Sequence, residues 1–276
     1  MTSVYVIRTG CQNIGAVLLG VVKCGVLGLI FPYALGQYLG ISRQSKMLRP
    51  HLKEVLEADY DSISQVAKKH IQLPLYSAPA LLANSFSYSS ITIFMESLFD
   101  MTTVGYYSLS TRILGLPLSL VSGNVSKVFY QEAAQEYGDK GHFKSAFKKS
   151  ALFLTALSIP MGLVIYILSP WACQVFFGEA WVVAGDYIRI LTPYYMIRFI
   201  GTALSPGFLV CNEQKQELLF QVLLVFTSLI SGAITVLTVK SVEIFLWTIC
   251  ITKSMVYIFQ IILVWKDANN HSGAKL

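Results

Sequence analysis

LPLYSAPALLANSFSYSSITIFMESLFD, residues 73–100, is apolar over a length that crosses a bilayer, yet it carries a stripe of Asn84, Ser85, Ser87, Tyr88, Ser89, Ser90 and Thr92 and ends in Glu96 and Asp100. A helical span needs about 20 mostly apolar residues to cross about 30 Å of hydrocarbon. Glu96 and Asp100 are four apart and share one helical face. The small hydroxyl residues either pack helices or line a wet interior, and Asp100 either ends the span or takes part in its chemistry. Glu96 lies about one turn inside the boundary, so it either pairs with a cation or titrates, and both suit an ion-coupled carrier.

The rest of the chain follows the same pattern. Of its 276 residues 54% are hydrophobic and only 13% charged, with a mean hydropathy of +0.58, whereas about 25% of residues in soluble domains are charged. This composition describes an all-α, polytopic membrane protein. Apolar runs predict eight spans, near 3–22, 25–42, 72–99, 104–131, 147–169, 185–210, 215–238 and 242–265. Arg8, Glu96, Arg112, Arg189 and Arg198 fall inside these runs. A charge at the centre of a membrane helix costs roughly 2.5–3.5 kcal/mol on insertion scales, so these residues ask for a polar interior.

The distribution of the net charge of +6 predicts orientation. Arg43, Lys46, Arg49, Lys53, Lys68 and Lys69 precede the third span, Lys140, Lys144, Lys148 and Lys149 precede the fifth, and Lys215, Lys266 and Lys275 fall on the same side. The opposite side has Lys23 and Lys240 with Asp100 and Glu179. Loops rich in Lys and Arg stay in the cytoplasm, which places both termini there. The basic patches track sidedness so closely that a nucleic-acid partner is the weaker reading. Lys23 before Cys24 spoils a lipoprotein signal, and no A-x-A site follows the first span, so cleavage is not expected.

Five scattered cysteines without CxxC spacing read as small buried hydrophobes, and four histidines without helical partners give no metal site. Residues 43–71 place Leu52, Val55, Leu56, Ile63 and Val66 at helical spacing, which predicts an amphipathic connector on the cytoplasmic face. Pro32, Pro79, Pro117, Pro160, Pro193 and Pro206 interrupt the spans, as in helices that line moving cavities, although proline is frequent in membrane helices generally. SPWACQVFFGEAWVVAG at 169–185 carries interfacial aromatics and predicts a short helix lying in the outer membrane surface. LLGVVKCGVLGLI at 18–30 and AITVLTVKSVEIFLW at 233–247 each place Val-Lys at an outer turn, a faint internal echo.

Arg112 stands about two turns from the outer end of the fourth span, on the side of Glu96. It either pairs with Glu96 or faces a cavity, where its guanidinium matches phosphate oxygens. Arg8 is a cavity cation or a snorkelling residue, and Arg198, near Tyr194 and Tyr195, is a cavity cation or a partner for helix carbonyls. Arg189 snorkels, with Asp186 at i−3 as a partner. Lys253 lies deep in the eighth span without a partner on its own helix. The Asn124-Val125-Ser126 sequon lies inside a span, beyond the reach of glycosylation. No Walker motif, GxSxG or catalytic carboxylate pair occurs, so the sequence supports neither an enzyme nor a cofactor.

GYYSLSTRILGLPLSLV at 105–121, KVFYQEAAQEY at 127–137, FFGEAWVVAGDYIRILTPYYMIRFI at 176–200 and SPGFLVCNEQKQ at 205–216 resemble, in order and spacing, the Wzx-type O-antigen and capsule flippases of the multidrug/oligosaccharidyl-lipid/polysaccharide exporter superfamily. The resemblance covers most of 72–266. It implies two six-helix lobes around a cationic cavity, and translocation of an undecaprenyl-diphosphate-linked oligosaccharide across the bacterial cytoplasmic membrane for lipopolysaccharide or capsule synthesis. Membrane lipids and glycan polymerase or chain-length machinery are the implied partners. Against that pattern, 1–42 would be the last two helices of the amino-terminal lobe, 43–71 the connector, 72–266 the complete carboxy-terminal lobe and 267–276 a cytoplasmic tail. Four amino-terminal spans would be missing. Arg112 and Arg198 occupy arginines of the family blocks, and Arg8, Asn84 and Tyr88 join them as substrate-cavity candidates, with Glu96 and Asp100 as ion-coupling or charge-pair candidates. The rival expectations are a drug or cation exporter of the same superfamily, which calls for an acidic cavity, and a truncated fragment that does not transport.

Overall fold

The computed structural model describes residues 2–21, 25–28, 30–36, 59–69, 71, 73–237 and 241–269. They form two units, Met1–Lys69 and His70–Leu276. The described residues are almost entirely helical, as an all-α membrane protein requires, because only intrahelical bonding satisfies the backbone in hydrocarbon.

In the first unit, α1 (Thr2–Val21) packs on a helical stretch at 30–36. Gln12 is buried and donates to the Tyr33 carbonyl at 3.3 Å. A Cβ on Gly15 would stand 2.9 Å from the Pro32 Cβ, so the two helices meet where one lacks a side chain. Helix α2 (Tyr60–Lys69) covers the end of the expected connector, with Val66 exposed. The connector's 43–58 portion, the turns at Lys23 and Lys240, Cys24 and the tail from 270 lie outside the described residues.

The second unit is a bundle. A π-helical turn at Leu73–Ser77 leads into α3 (Ala78–Leu98). Asp100 caps α4 (Met101–Pro117) by accepting from the Thr103 amide at 2.8 Å. Pro117 has no amide hydrogen to donate, and the chain widens there into a π-helical turn, Leu118–Ser122, before continuing as α5 (Gly123–Lys140). Gly141, at φ 71°, ends α5 in the left-handed conformation that glycine adopts without strain. The remaining elements are α6 (Lys144–Phe177), α7 (Val182–Leu204), the short α8 (Gly207–Val210), α9 (Gln214–Leu237) and α10 (Val242–Asn269).

Helix α7 is the axis of the bundle: α4, α5, α6 and α10 pack against it, while α9 joins α3 to α10. Its sequence suits that position, with small, aromatic and aliphatic residues buried along its length, from Ala184 and Gly185 to Gly201 and Ala203. At Gly185 a Cβ would collide with the Pro170 backbone, so glycine permits α6 and α7 to touch.

The surface inverts the soluble pattern. Leu152, Leu163, Ile167 and Phe176 of α6 and Leu237 of α9 are exposed, while Ser87, Ser110, Ser122, Ser228 and Ser231 are buried. Ser110 donates to the Ala184 carbonyl at 2.8 Å and Ser122 to the Phe199 carbonyl at 3.0 Å, tying both halves of the α4–α5 rod to α7. Such interhelical bonds are worth about 0.6 kcal/mol each in a membrane.

One expectation needs correcting. The segment at 169–185 forms no separate surface helix: α6 runs through Pro170 to Phe177, and one 3-10 turn, Glu179–Trp181, joins it to α7. The close Pro170–Gly185 packing holds that end of α6 against the bundle. By length and apolarity, four helices among the described residues are fit to cross a membrane, counting α4 and α5 as one. The eight spans expected from the sequence extend over residues outside the described ones. Helices α3 and α7, of 21 and 23 residues, have the length, but α3 carries the hydroxyl stripe and α7 carries Asp186, Arg189 and Arg198.

Candidate functional site

Asn84, Ser87 and Tyr88 of the α3 stripe face α7, α9 and α10 in the middle of the bundle, whereas Ser85 and Ser89 are exposed. Ser87 is fully buried and donates to the Leu224 carbonyl of α9 at 2.8 Å, with its Oγ 3.0 Å from Ser228 Oγ. Lys253 of α10 is also fully buried and donates to Ser87 Oγ at 2.7 Å. Its ammonium is 5.0 Å from the centroid of the Tyr88 ring.

Arg198 of α7 shares that ring. Its guanidinium carbon is 4.5 Å from the Tyr88 centroid and 5.2 Å from that of Tyr195, one helical turn earlier. The Arg198 Nε is enclosed and has no hydrogen-bond partner. Tyr88 is oriented from its far end, its hydroxyl 2.9 Å from that of Tyr257 and 3.4 Å from that of Tyr194. Tyr194, Tyr195 and Tyr257 are buried, and Tyr257 stacks edge-on against Phe220 with centroids 5.1 Å apart. Two basic side chains thus share one aromatic ring inside the bundle. The ion pairs among the described residues engage neither of them.

Cation–π contact stabilises a desolvated cation by about 2 kcal/mol, less than a counter-ion supplies. Among the described residues no carboxylate pairs with either basic group; an arginine fork matches phosphate oxygens.

The other candidates are distributed around this centre. Asn84, one turn before Tyr88 on α3, donates to Gln221 Oε1 of α9 at 2.7 Å. Glu96 and Arg112 are both exposed, and no ion pair joins them among the described residues. Asp100 is exposed at the end of α3, and the hydroxyl and amide of Thr103 hold its carboxyl below the usual value. Arg8 lies half-buried on α1 in the first unit. Outside the candidate set, Arg189 pairs with Asp186 at 3.7 Å and donates to the Tyr166 carbonyl at 3.0 Å. Cys173 and Cys250 are buried, Cys211 partly so, and Cys11 is exposed on α1. Burial, aided by nearby Asp267 and Glu213, pushes the Cys211 thiol up to about 12, which keeps it unreactive.

Sequence reasoning singled out Tyr88 and Arg198 without a reason to join them, and left Lys253, Ser87 and Tyr257 outside the candidate set. Lys253 and Tyr257 are four apart and share a face of α10, a signal the sequence did contain.

Residues 54–186 match the model of a family described as "Polysaccharide biosynthesis protein". The chain is also similar to the amylovoran biosynthesis protein AmsL of Erwinia amylovora, 29% identical over 98 residues, which is 36% of this chain and 25% of that protein. The chain therefore spans about a quarter of the length of that curated relative. These matches support the resemblance to polysaccharide flippase-type, Wzx-like proteins. Arg198, Lys253 and Tyr257 lie beyond the matched family segment.

Proposed function

We propose that this chain, similar to flippase-type proteins of polysaccharide biosynthesis, works in that process by translocating an undecaprenyl-diphosphate-linked oligosaccharide across the bacterial cytoplasmic membrane. The observation that carries the reading is the pair of interior basic side chains, Arg198 and Lys253, 4.5 and 5.0 Å from the Tyr88 ring centroid and joined by no ion pair to a carboxylate among the described residues. A diphosphate would supply the missing negative charge, the glycan would occupy polar space, and the prenyl tail would stay in lipid.

Arg198 is the better first contact, because it is partly accessible whereas Lys253 is sealed against Ser87. Helix rearrangement that broke the Lys253–Ser87 bond would add a second cation to the bound anion, which is how alternating access would strengthen binding in one state. Glu96, exposed on α3, is the proposed ion-coupling group, and Arg112 a second cavity cation.

The test is complementation of a flippase-null strain by a gene encoding this chain together with any amino-terminal partner segment, and by its Arg198→Ala and Arg112→Ala variants. Export that falls at least tenfold in Arg198→Ala at unchanged protein level supports the reading. Undiminished glycan export would sink the cavity role, and export of cationic drugs instead would favour the exporter alternative.

A further inference from the structure

We infer that one end of the second unit binds the phosphate of an anionic phospholipid, through Lys144 and Lys148 of α6 and Trp265 of α10. This does not depend on the glycan reading. Helices α6 and α10 are both long and apolar enough to cross a membrane. Lys144 opens α6 and Trp265 lies in the last turns of α10, so the three residues sit together where helices leave the bilayer. Both ammonium groups are 5.8 Å from the centroid of the Trp265 ring. The ring is held by buried Phe147, with centroids 5.1 Å apart, while both lysines are exposed.

The charges around them do not balance. Glu132 is bound to Lys149 at 2.8 Å. Glu136 accepts from the Ser145 and Ala146 amides at 3.3 and 2.8 Å and lies 3.6 Å from Lys140 and 3.9 Å from His142. No ion pair among the described residues engages Lys144 or Lys148. Like charges four apart on a helix repel, and cations at a helix amino terminus oppose its dipole. One shared anion removes both penalties. An indole marks headgroup depth. Exposed Leu152 and Ile159 continue the lysine face along α6, and exposed Ile262 and Ile258 continue from Trp265 along α10, giving acyl chains an apolar track. That track favours a lipid phosphate over a free one.

The experiment uses the purified full chain in neutral detergent, with native mass spectrometry after addition of phosphatidylglycerol, phosphatidylcholine or inorganic phosphate. Phosphatidylglycerol should be retained in preference to phosphatidylcholine. Each lysine is worth about fivefold in affinity near a lipid surface, so K144Q/K148Q should weaken phosphatidylglycerol binding about 30-fold. The charge-preserving K144R/K148R should retain it, and K140Q, whose lysine already has Glu136, should change it little. Equal retention of phosphatidylcholine, wild-type binding by the glutamine variant, or displacement by millimolar inorganic phosphate would each overturn the assignment. If the glutamine variant does not fold, the wild type decides: binding that survives 1 M salt, where screening acts over about 3 Å, also overturns it.

Discussion

Lys253 Nζ donates to Ser87 Oγ at 2.7 Å, joining α10 to α3 across 166 residues of chain, and both side chains are fully buried. Removing the acceptor leaves an ammonium without that partner, which costs about 1–3 kcal/mol or more. Replacing the lysine by an apolar chain of similar length removes the demand and is often neutral or stabilising. Ser87→Ala should therefore lower the melting temperature in detergent, whereas Lys253→Met should leave it unchanged or raise it. Lys253→Met should nonetheless reduce glycan export. A Lys253→Met protein that is less stable than Ser87→Ala would show that the ammonium has stabilising partners beyond this bond.

Gly201 on α7 lies against the Tyr257 ring, and a Cβ there would stand 2.8 Å from Cδ1. Tyr257 is bound to Tyr88 at 2.9 Å and cannot withdraw without disturbing that contact. Gly201→Ala should cost about 1–3 kcal/mol by overpacking. It should also impair export beyond what lower protein abundance explains, measured as export per folded molecule.

Arg112 and Arg198 separate function from stability. Arg112 is exposed, and surface substitutions usually change stability by less than about 0.5 kcal/mol. Arg112→Ala should match the wild type in thermal unfolding, while Arg198→Ala, which loses contacts to Tyr88 and Tyr195, should unfold earlier. Superimposable unfolding curves for all three proteins would contradict the packing role of Arg198.

Asp100 supplies a pH-dependent term. Bonding to the Thr103 hydroxyl and amide lowers the pKa of its carboxyl in the folded state. A group depressed on folding binds fewer protons than in the unfolded chain, so its stabilisation is present above the ordinary carboxylate value of 3.8 and disappears as pH falls through the lower folded value. Asp100→Asn should retain much of the cap and flatten the stability profile between pH 5 and pH 2. An unchanged profile, followed by thermal melts across that range, would mean that Asp100 contributes nothing to acid sensitivity.

The hydroxyl stripe at 84–92 was legible as polar and helical, since composition and spacing are local properties. Which of its members meet was not. Ser87 finds Ser228 on α9 and Lys253 on α10, and Tyr88 finds Arg198 on α7. Those positions are set by the rotation of four helices, and sequence spacing carries no information on rotation between helices. Lys253 seemed partnerless because its acceptor is on another helix.

The sequence by itself determined the helical class, the apolar exterior, the lysine-rich end and the presence of charges inside apolar runs, because these follow from transfer energies of single residues and the 3.6-residue period. Only the tertiary structure decided that α7 is the axis, that no ion pair among the described residues joins Glu96 to Arg112, and that Arg198 and Lys253 share Tyr88. Each of those outcomes depends on where small residues such as Gly185 let helices approach, a packing solution that belongs to the whole bundle and to no single segment.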